Sequence, residues 1–474
     1  MKGASSDYIL QIAVVGHTNT GKTSLLRTIT RDPSFGEVDD APGTTREVQS
    51  SVVLLEQQPV LRWYDTPGLE DSISLRDWID HLPSKGQRLD GPERIEIFLA
   101  DQAASRHFEQ EHRVLTQVLR SDALLYVVDA RDPVLAKHRD ELYLLQACGK
   151  PVLPVMNFTA DPLADIEPWV TTFARNGMHI YLSFDTISPP INGEQMMYET
   201  LAQLLGNHRD LLGKIAQQVR TQRRERLEAA VIMLASLCVD VAASVRIVSN
   251  DPKKIETIAE SFEADVKVQE TVFVENLLTL YRFTSLDYLP EELGMSARQW
   301  SSDLFSKEAM TELGIQLGKG AAIGAAAGAA VDLLSAGLSL GTGMLIGAAA
   351  GSAWQGVERW GKDLSARMSG RRQLFASDEV LQVLAHRNLR LIAALESRGH
   401  ASQQPISLEA EQGHGDLDAK SYLQIIRTVR QHALRWHVTD MLGESQQKSR
   451  ATRELDHLFL GSSILGVFRE DGLH

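Results

Sequence analysis

Ile9-Leu10-Gln11-Ile12-Ala13-Val14-Val15-Gly16-His17-Thr18-Asn19-Thr20-Gly21-Lys22-Thr23-Ser24 is the stretch on which the reading of this chain turns. The apolar run Ile9–Val15 predicts a buried strand, and Ser24–Arg31 has helical character. Between them, Gly16 to Thr23 fits G-x-x-x-x-G-K-[ST] in the strand–turn–helix setting that this motif requires. Its glycines let backbone N–H groups turn inward around an anion, and the helix N-terminus adds a favourable dipole. Gly16, His17, Thr18, Asn19, Thr20, Gly21, Lys22, Thr23 and Ser24 are therefore candidate phosphate-cradling residues. Lys22 would reach the β- and γ-phosphates, and Thr23 would offer its hydroxyl to Mg²⁺.

Outward from this turn, β-rich runs alternate with helical stretches: Ser51–Tyr64, Ala123–Val128, Pro151–Met156 and His179–Leu182. Such alternation predicts an α/β P-loop NTPase domain, with a mainly parallel sheet and helices on both faces. From about Asn207 the β-rich runs stop. Gln217–Val248 and Pro252–Tyr281 read as long amphipathic helices, and a last helical region starts near Leu417.

Trp63-Tyr64-Asp65-Thr66-Pro67-Gly68 ends an apolar run on an acid. A carboxylate at a strand's C-terminal end can hold Mg²⁺, usually through water. Gly68, lacking a side chain, lets its N–H approach a γ-phosphate. Between the two motifs, Pro42-Gly43-Thr44-Thr45-Arg46 is a loop whose hydroxyl would complete the Mg²⁺ shell only while that phosphate is present, which makes it a switch.

These three pieces, with Val127-Val128-Asp129-Ala130-Arg131-Asp132-Pro133, resemble the TrmE–Era-type bacterial GTPases over residues 8–206. The helical remainder resembles a C-terminal domain of unknown function attached to such enzymes. The resemblance implies GTP and GDP as ligands. It implies Lys22, Thr45 and Gly68 as catalytic, with Thr23, Thr45 and Asp65 on Mg²⁺. Leu69 stands where Ras-like enzymes place a water-orienting glutamine. Asn19 matches an asparagine that in several relatives helps bind K⁺, a charge that would favour cleavage at the β–γ bridge. Hydrolysis stimulated by K⁺ is the expectation. Glu70 and Asp71 are close enough in sequence to position the attacking water, or else are solvated loop acids.

The base-reading segment departs from the family's Asn-Lys-x-Asp. Asn157 stands where expected, Phe158 replaces the lysine, and Asp161 arrives one residue late. Either the loop bulges so that Asp161 accepts from guanine, with Phe158 on the base, or purine specificity is relaxed. Ser183 and Phe184 occupy the base-backing position. About 60 residues separate Gly68 from Asp129, so a helical insert at about 75–120 is expected, either sensing a partner or inconsequential.

The domain division expected is 1–210 for the G domain, 211–305 helical, 306–365 a Gly/Ala-rich helical hairpin and 366–474 helical again. In the hairpin, Gly320, Gly324 and Gly328, then Gly343, Gly347 and Gly351, recur every four residues and form a stripe on each helix, a glycine zipper. Leu333–Trp354 is 22 residues without a charge, yet five are glycine, so its transfer energy is marginal. A spanning hairpin, reversible insertion and a tightly packed soluble hairpin all stay open, with 314–360 the segment that would meet a membrane surface or membrane protein. The formal charge of −14 argues against nucleic acid as a partner. Two cysteines suit a reducing cytosol, and the N-terminus lacks signal-peptide character. A cytoplasmic protein, peripheral or reversibly inserted at the inner membrane, is the expectation. A switch with slow GTPase activity leads. Its rivals are a dynamin-like membrane-remodelling machine with nucleotide-dependent self-association, a ribosome- or RNA-associated GTPase, and a scaffold that binds without hydrolysing.

Overall fold

The computed structural model describes residues 8–32, 35, 48–82, 89–248, 251–283, 331–334, 372–398, 417–439, 441–465 and 468. It divides into two compact units, at Arg224 and Glu225.

The first unit runs β1 (Leu10–Val15), α1 (Lys22–Thr30), β2 (Gln49–Leu55), β3 (Gln58–Asp65), α2 (Ser72–Asp80), α3 (Gly91–Ala100), α4 (Gln102–His107), α5 (Glu109–Arg120), β4 (Ala123–Asp129), α6 (Ala136–Ala147), β5 (Val152–Asn157), α7 (Glu167–Arg175), β6 (Leu182–Ser183), α8 (Gly193–Leu204) and the start of α9 (Arg209–Ala243). The six strands order as β2-β3-β1-β4-β5-β6, parallel except for β2. Because successive side chains of a strand point to opposite faces, β1 feeds two cores. Leu10, Ile12 and Val14 pack with Leu25, Ile29 and Tyr198, while Ala13 and Val15 pack with Val114, Leu115 and Leu142. These five of the six β1 residues are fully buried, and each large aliphatic side chain so buried stabilises by about 1.5–3 kcal/mol. Leu212 and Ile215 of α9 join the first of these cores.

The apolar run Ser51–Tyr64 is not one strand. It is an antiparallel hairpin, with Leu55 opposite Gln58 and a register shift at Val53/Leu54. Glu56 and Gln57 form its turn, both left-handed at φ 50° and 66°. Left-handed two-residue turns match strand twist and usually announce themselves with Asn or Gly; Glu-Gln carries no such signal.

The second unit holds the rest of α9, β7 (Arg246–Val248), α10 (Pro252–Leu280), β8 (Val331–Leu334), β9 (Arg372–Ala376), α11 (Asp378–Ser397), α12 (Ala419–Thr439) and α13 (Met441–Leu460). Its core is mainly helical, with Leu234, Phe262, Leu277, Leu384, Ile392, Tyr422 and Phe459, and takes in Leu374 and Ala376 of β9. Two corrections follow. The helix expected through Val248 stops at Ala243, and Arg246–Val248 instead pairs antiparallel with β9, Arg246 opposite Leu374 and Val248 opposite Arg372. Val331–Leu334, expected within the helical hairpin, pairs with the other edge of β9, so the β-rich character does not end at residue 207. A β-branched or leucine-rich segment only three or four residues long has no readable period, and only its sheet partners define it. The remainder of the glycine zipper lies outside the described residues. Among the described residues no helix is long and apolar enough to cross a membrane.

Candidate nucleotide site

Gly21, at φ 87°, ends the turn between β1 and α1. A Cβ there would lie 2.2 Å from the Asn157 amide nitrogen, so glycine is required both by conformation and by room. Asn157 is fully buried. Its Nδ2 donates to the Thr20 carbonyl at 2.9 Å, and its Oδ1 accepts from the amides of Phe158 and Thr186 at 2.8 and 3.0 Å. It therefore ties the phosphate turn to the two base-side loops and does not itself face the cavity.

Lys22 donates to the carbonyls of Gly16 and His17 at 3.2 and 2.7 Å across the turn. Burial pushes its amine down to about 8, against the opposing pull of Asp65, Glu141 and Glu70. Thr23 Oγ1 donates to Asp65 Oδ2 at 2.6 Å, and Asp65 Oδ1 is buried without a hydrogen-bond partner. Burial raises the Asp65 carboxyl, opposed by the Thr23 hydrogen bond and Lys22. An orphaned carboxylate oxygen beside a hydroxyl is a donor set that suits a hard, oxygen-seeking cation such as Mg²⁺.

The loop after β3 is pinned to the phosphate turn. Leu69 N donates to Gly16 O at 3.1 Å, and Thr18 Oγ1 donates to Glu70 Oε1 at 3.2 Å. A Cβ on Gly68 would lie 2.2 Å from Thr18 Oγ1 and 2.7 Å from Thr18 backbone. Beneath the turn, His17 Nδ1 meets the fully buried Glu141 at 2.9 Å, and Tyr126 donates to the same carboxylate at 2.7 Å.

A cavity of about 300 Å³ results, lined by Thr18, Asn19, Gly21, Lys22, Thr23, Ser24, Thr66, Gly68, Glu70, Gln110 and Phe158. Of the residues singled out from sequence, Thr18, Asn19, Gly21, Lys22, Thr23, Ser24, Gly68, Glu70 and Phe158 thus converge, whereas Gly16, His17, Thr20 and Asp65 do not line the cavity. Asp71 does not: its carboxylate caps α2, accepting from Ser74 N at 3.1 Å. Phe184 is a core residue against Gly193, and Ser183 pairs in β6 with Met156. Asp161 accepts from Leu163 N at 2.9 Å and lies 3.7 Å from Arg131, away from the cavity wall. Thr45 and its loop lie outside the described residues.

Sequence reading missed Arg131 and Gln110. Arg131 is held bidentately by Asp129 at 2.9 and 2.7 Å, and its guanidinium covers the Phe158 ring at 4.0 Å. Phe158 itself is left-handed at φ 57°, an unusual backbone for an aromatic residue that its N–H bond to Asn157 helps hold. Asp185 closes this side by accepting from Ala160, Ile187 and Ser188 amides at 2.8–3.0 Å. Arg131 had a motif around it; Gln110 sits in an insert with none.

Strand, glycine turn, buried lysine and a buried carboxylate bonded to Thr23 define a P-loop GTPase, and residues 11–158 match the family described as 50S ribosome-binding GTPase. The chain carries a GTP-hydrolysing P-loop domain. Residues 171–457, more than half of its length, match the domain of unknown function DUF3482, and the chain belongs to that family. Among solved structures it is similar to the one titled "Crystal structure of Era in complex with MgGDPNP and nucleotides 1506-1542 of 16S ribosomal RNA", at 17% identity and a TM-score of 0.29, over 41% of this chain and 56% of that chain. No curated protein matches.

Proposed function

We propose that this chain is a Mg²⁺-dependent molecular switch, in which GTP hydrolysis in the first unit is linked to the state of the helical second unit. The observation that carries the reading is the Thr23–Asp65 pair at 2.6 Å, with its orphaned Asp65 oxygen, beside a buried Lys22. Thr23 and Asp65 would hold the Mg²⁺, which supplies charge neutralisation between the β- and γ-phosphates. Lys22 would exchange its two carbonyl partners for phosphate oxygens. Gly68 N–H would sense the γ-phosphate, and Thr45 would complete the switch. Glu70 stands at the cavity wall, where it accepts from Thr18 at 3.2 Å.

Asn19 lines the same cavity at φ 67°, which supports it as a K⁺-side residue. Turnover faster in K⁺ than in Na⁺ is expected; equal rates would remove that element. On the base side, Phe158 under Arg131 supports a purine platform, and Asp161 is engaged elsewhere, which favours relaxed selection over strict guanine reading. Competition of ITP and ATP against GTP tests this.

The decisive experiment measures Mg²⁺-dependent GTP binding and turnover for the unaltered chain and for Lys22→Ala. Loss of roughly a hundredfold or more in GTP affinity is expected. Unchanged affinity would sink the assignment. A ribosome-bound role is a second reading, favoured by the description of the family matched over residues 11–158. Co-sedimentation with ribosomes at low salt tests it against the acidic charge. Membrane association through 314–360 and nucleotide-dependent self-association are tested by flotation with liposomes in GTP analogue or GDP.

A further inference from the structure

We infer that the insert helix α5 completes the hydrolytic site: Gln110 is the water-orienting residue that Leu69 cannot be, and Glu111 is the positioning residue that holds it there. This rests on the reading above of the cavity as a Mg²⁺–GTP site.

The geometry is specific. Leu69 turns away from the cavity into the core and is fully buried. The neighbouring insert then supplies Gln110 to the same cavity wall as Lys22, Thr23 and Gly68. One residue on, Glu111 is 3% exposed, and a single oxygen, Oε1, accepts from the backbone amides of both Glu70 and Asp71 at 2.9 Å. A buried carboxylate on two consecutive amides is a strong, directional latch. It locks the γ-phosphate-side loop to the first turn of α5. The helix cannot shift beneath it, because Val114, Leu115 and Val118 are fully buried in the core that includes Ala13 and Val15 of β1. Phe108, just before α5, packs edge-on to Phe98 and fixes the entry.

Chemistry distinguishes Gln110 from Glu70. A carboxylate only accepts hydrogen bonds, whereas a carboxamide accepts from the water and donates to an equatorial phosphoryl oxygen at once. Glu70 is already engaged by Thr18 at 3.2 Å. In the step itself the water oxygen bonds to the γ-phosphorus and the bond to the β–γ bridging oxygen breaks. That electron pair stays on GDP, and the water's proton leaves on inorganic phosphate. Gln110 keeps its own protons throughout.

The test uses the full-length chain with Mg²⁺ and GTP, reading single-turnover rate, KM and the affinity of a fluorescent GDP. Gln110→Ala should lower the rate by about ten- to a hundredfold while KM and GDP affinity stay within about twofold. Glu111→Gln should lose less, since its amide oxygen still accepts both N–H groups, and its GDP affinity should hold. Glu70→Ala serves as comparator. Gln110→Ala turning over within about twofold of the unaltered chain, or losing GDP affinity in step with its rate, overturns the proposal. No GTP turnover by the unaltered chain would instead overturn the reading on which it rests.

Discussion

Gly68 and Thr18 approach so closely that no methyl group fits between them, with Thr18 backbone 2.7 Å from the place a Cβ would take. Gly68→Ala should therefore push the loop off the phosphate turn. On the proposed reading of the site, the γ-phosphate contact would be lost and the GDP contacts spared. Affinity for a non-hydrolysable GTP analogue is expected to fall by at least about tenfold, with GDP binding nearly unchanged; calorimetry with both ligands decides it. Residues such as Lys22, Thr23, Asp65 and Gly68 were legible in the sequence because each occupies a fixed offset in a motif whose chemistry tolerates few alternatives. Asn157 was legible by position but not by role, since its three hydrogen bonds hold loops together and none points outward. Asp71, left open between positioning water and a solvated loop acid, caps α2 instead, because an acid just before a helix satisfies an orphan N–H there.

Among the elements, the β2–β3 hairpin turns on two non-glycine residues in the left-handed region. Each such residue costs about 1 kcal/mol relative to one suited to that backbone. Replacing Glu56-Gln57 with Asn-Gly should stabilise the first unit by about 1 kcal/mol, seen as a higher urea midpoint with an unchanged slope. A lower midpoint would argue that the turn's side chains make contacts of their own. In the second unit, Asp378 at the start of α11 is 2% exposed and pairs with Arg427 at 3.1 Å and with Arg430. Arg430 also donates to Ala376 O and lies over the Phe375 ring. Removing one member of a buried ion pair strands the other, so Asp378→Ala should destabilise by about 3–5 kcal/mol in denaturant titration. Long helices were legible from their period. The three-stranded sheet was not, because strands of three to five residues acquire their identity from the neighbour they bond.

For the molecule as a whole, Cys148 belongs to the core of the first unit and Cys238 to that of the second. Burial pushes both thiols up to about 12. Neither should react with a thiol reagent at pH 8 until the chain is denatured, when both should. The sign of the pH effect follows: below an ordinary value of 9.0 both states hold the proton, and between 9.0 and 12 only the unfolded chain loses it. Stability is then lost as pH rises through that window, and a double Cys→Ala variant should show a shallower fall in urea midpoint from pH 8 to 10.

By itself the sequence determined that a triphosphate-gripping turn lies between the first strand and helix, and that the chain is α/β first and mainly helical afterwards. Those features are local: a motif of eight residues and periods of two or 3.6 are written into neighbouring positions. Only the tertiary structure decided what surrounds the turn. Gln110 reaches the cavity, Glu111 latches the loop, and Arg131 covers Phe158 because the sheet and its helices bring distant segments to one edge. Such contacts depend on packing across dozens of residues, and no spacing within the chain encodes them.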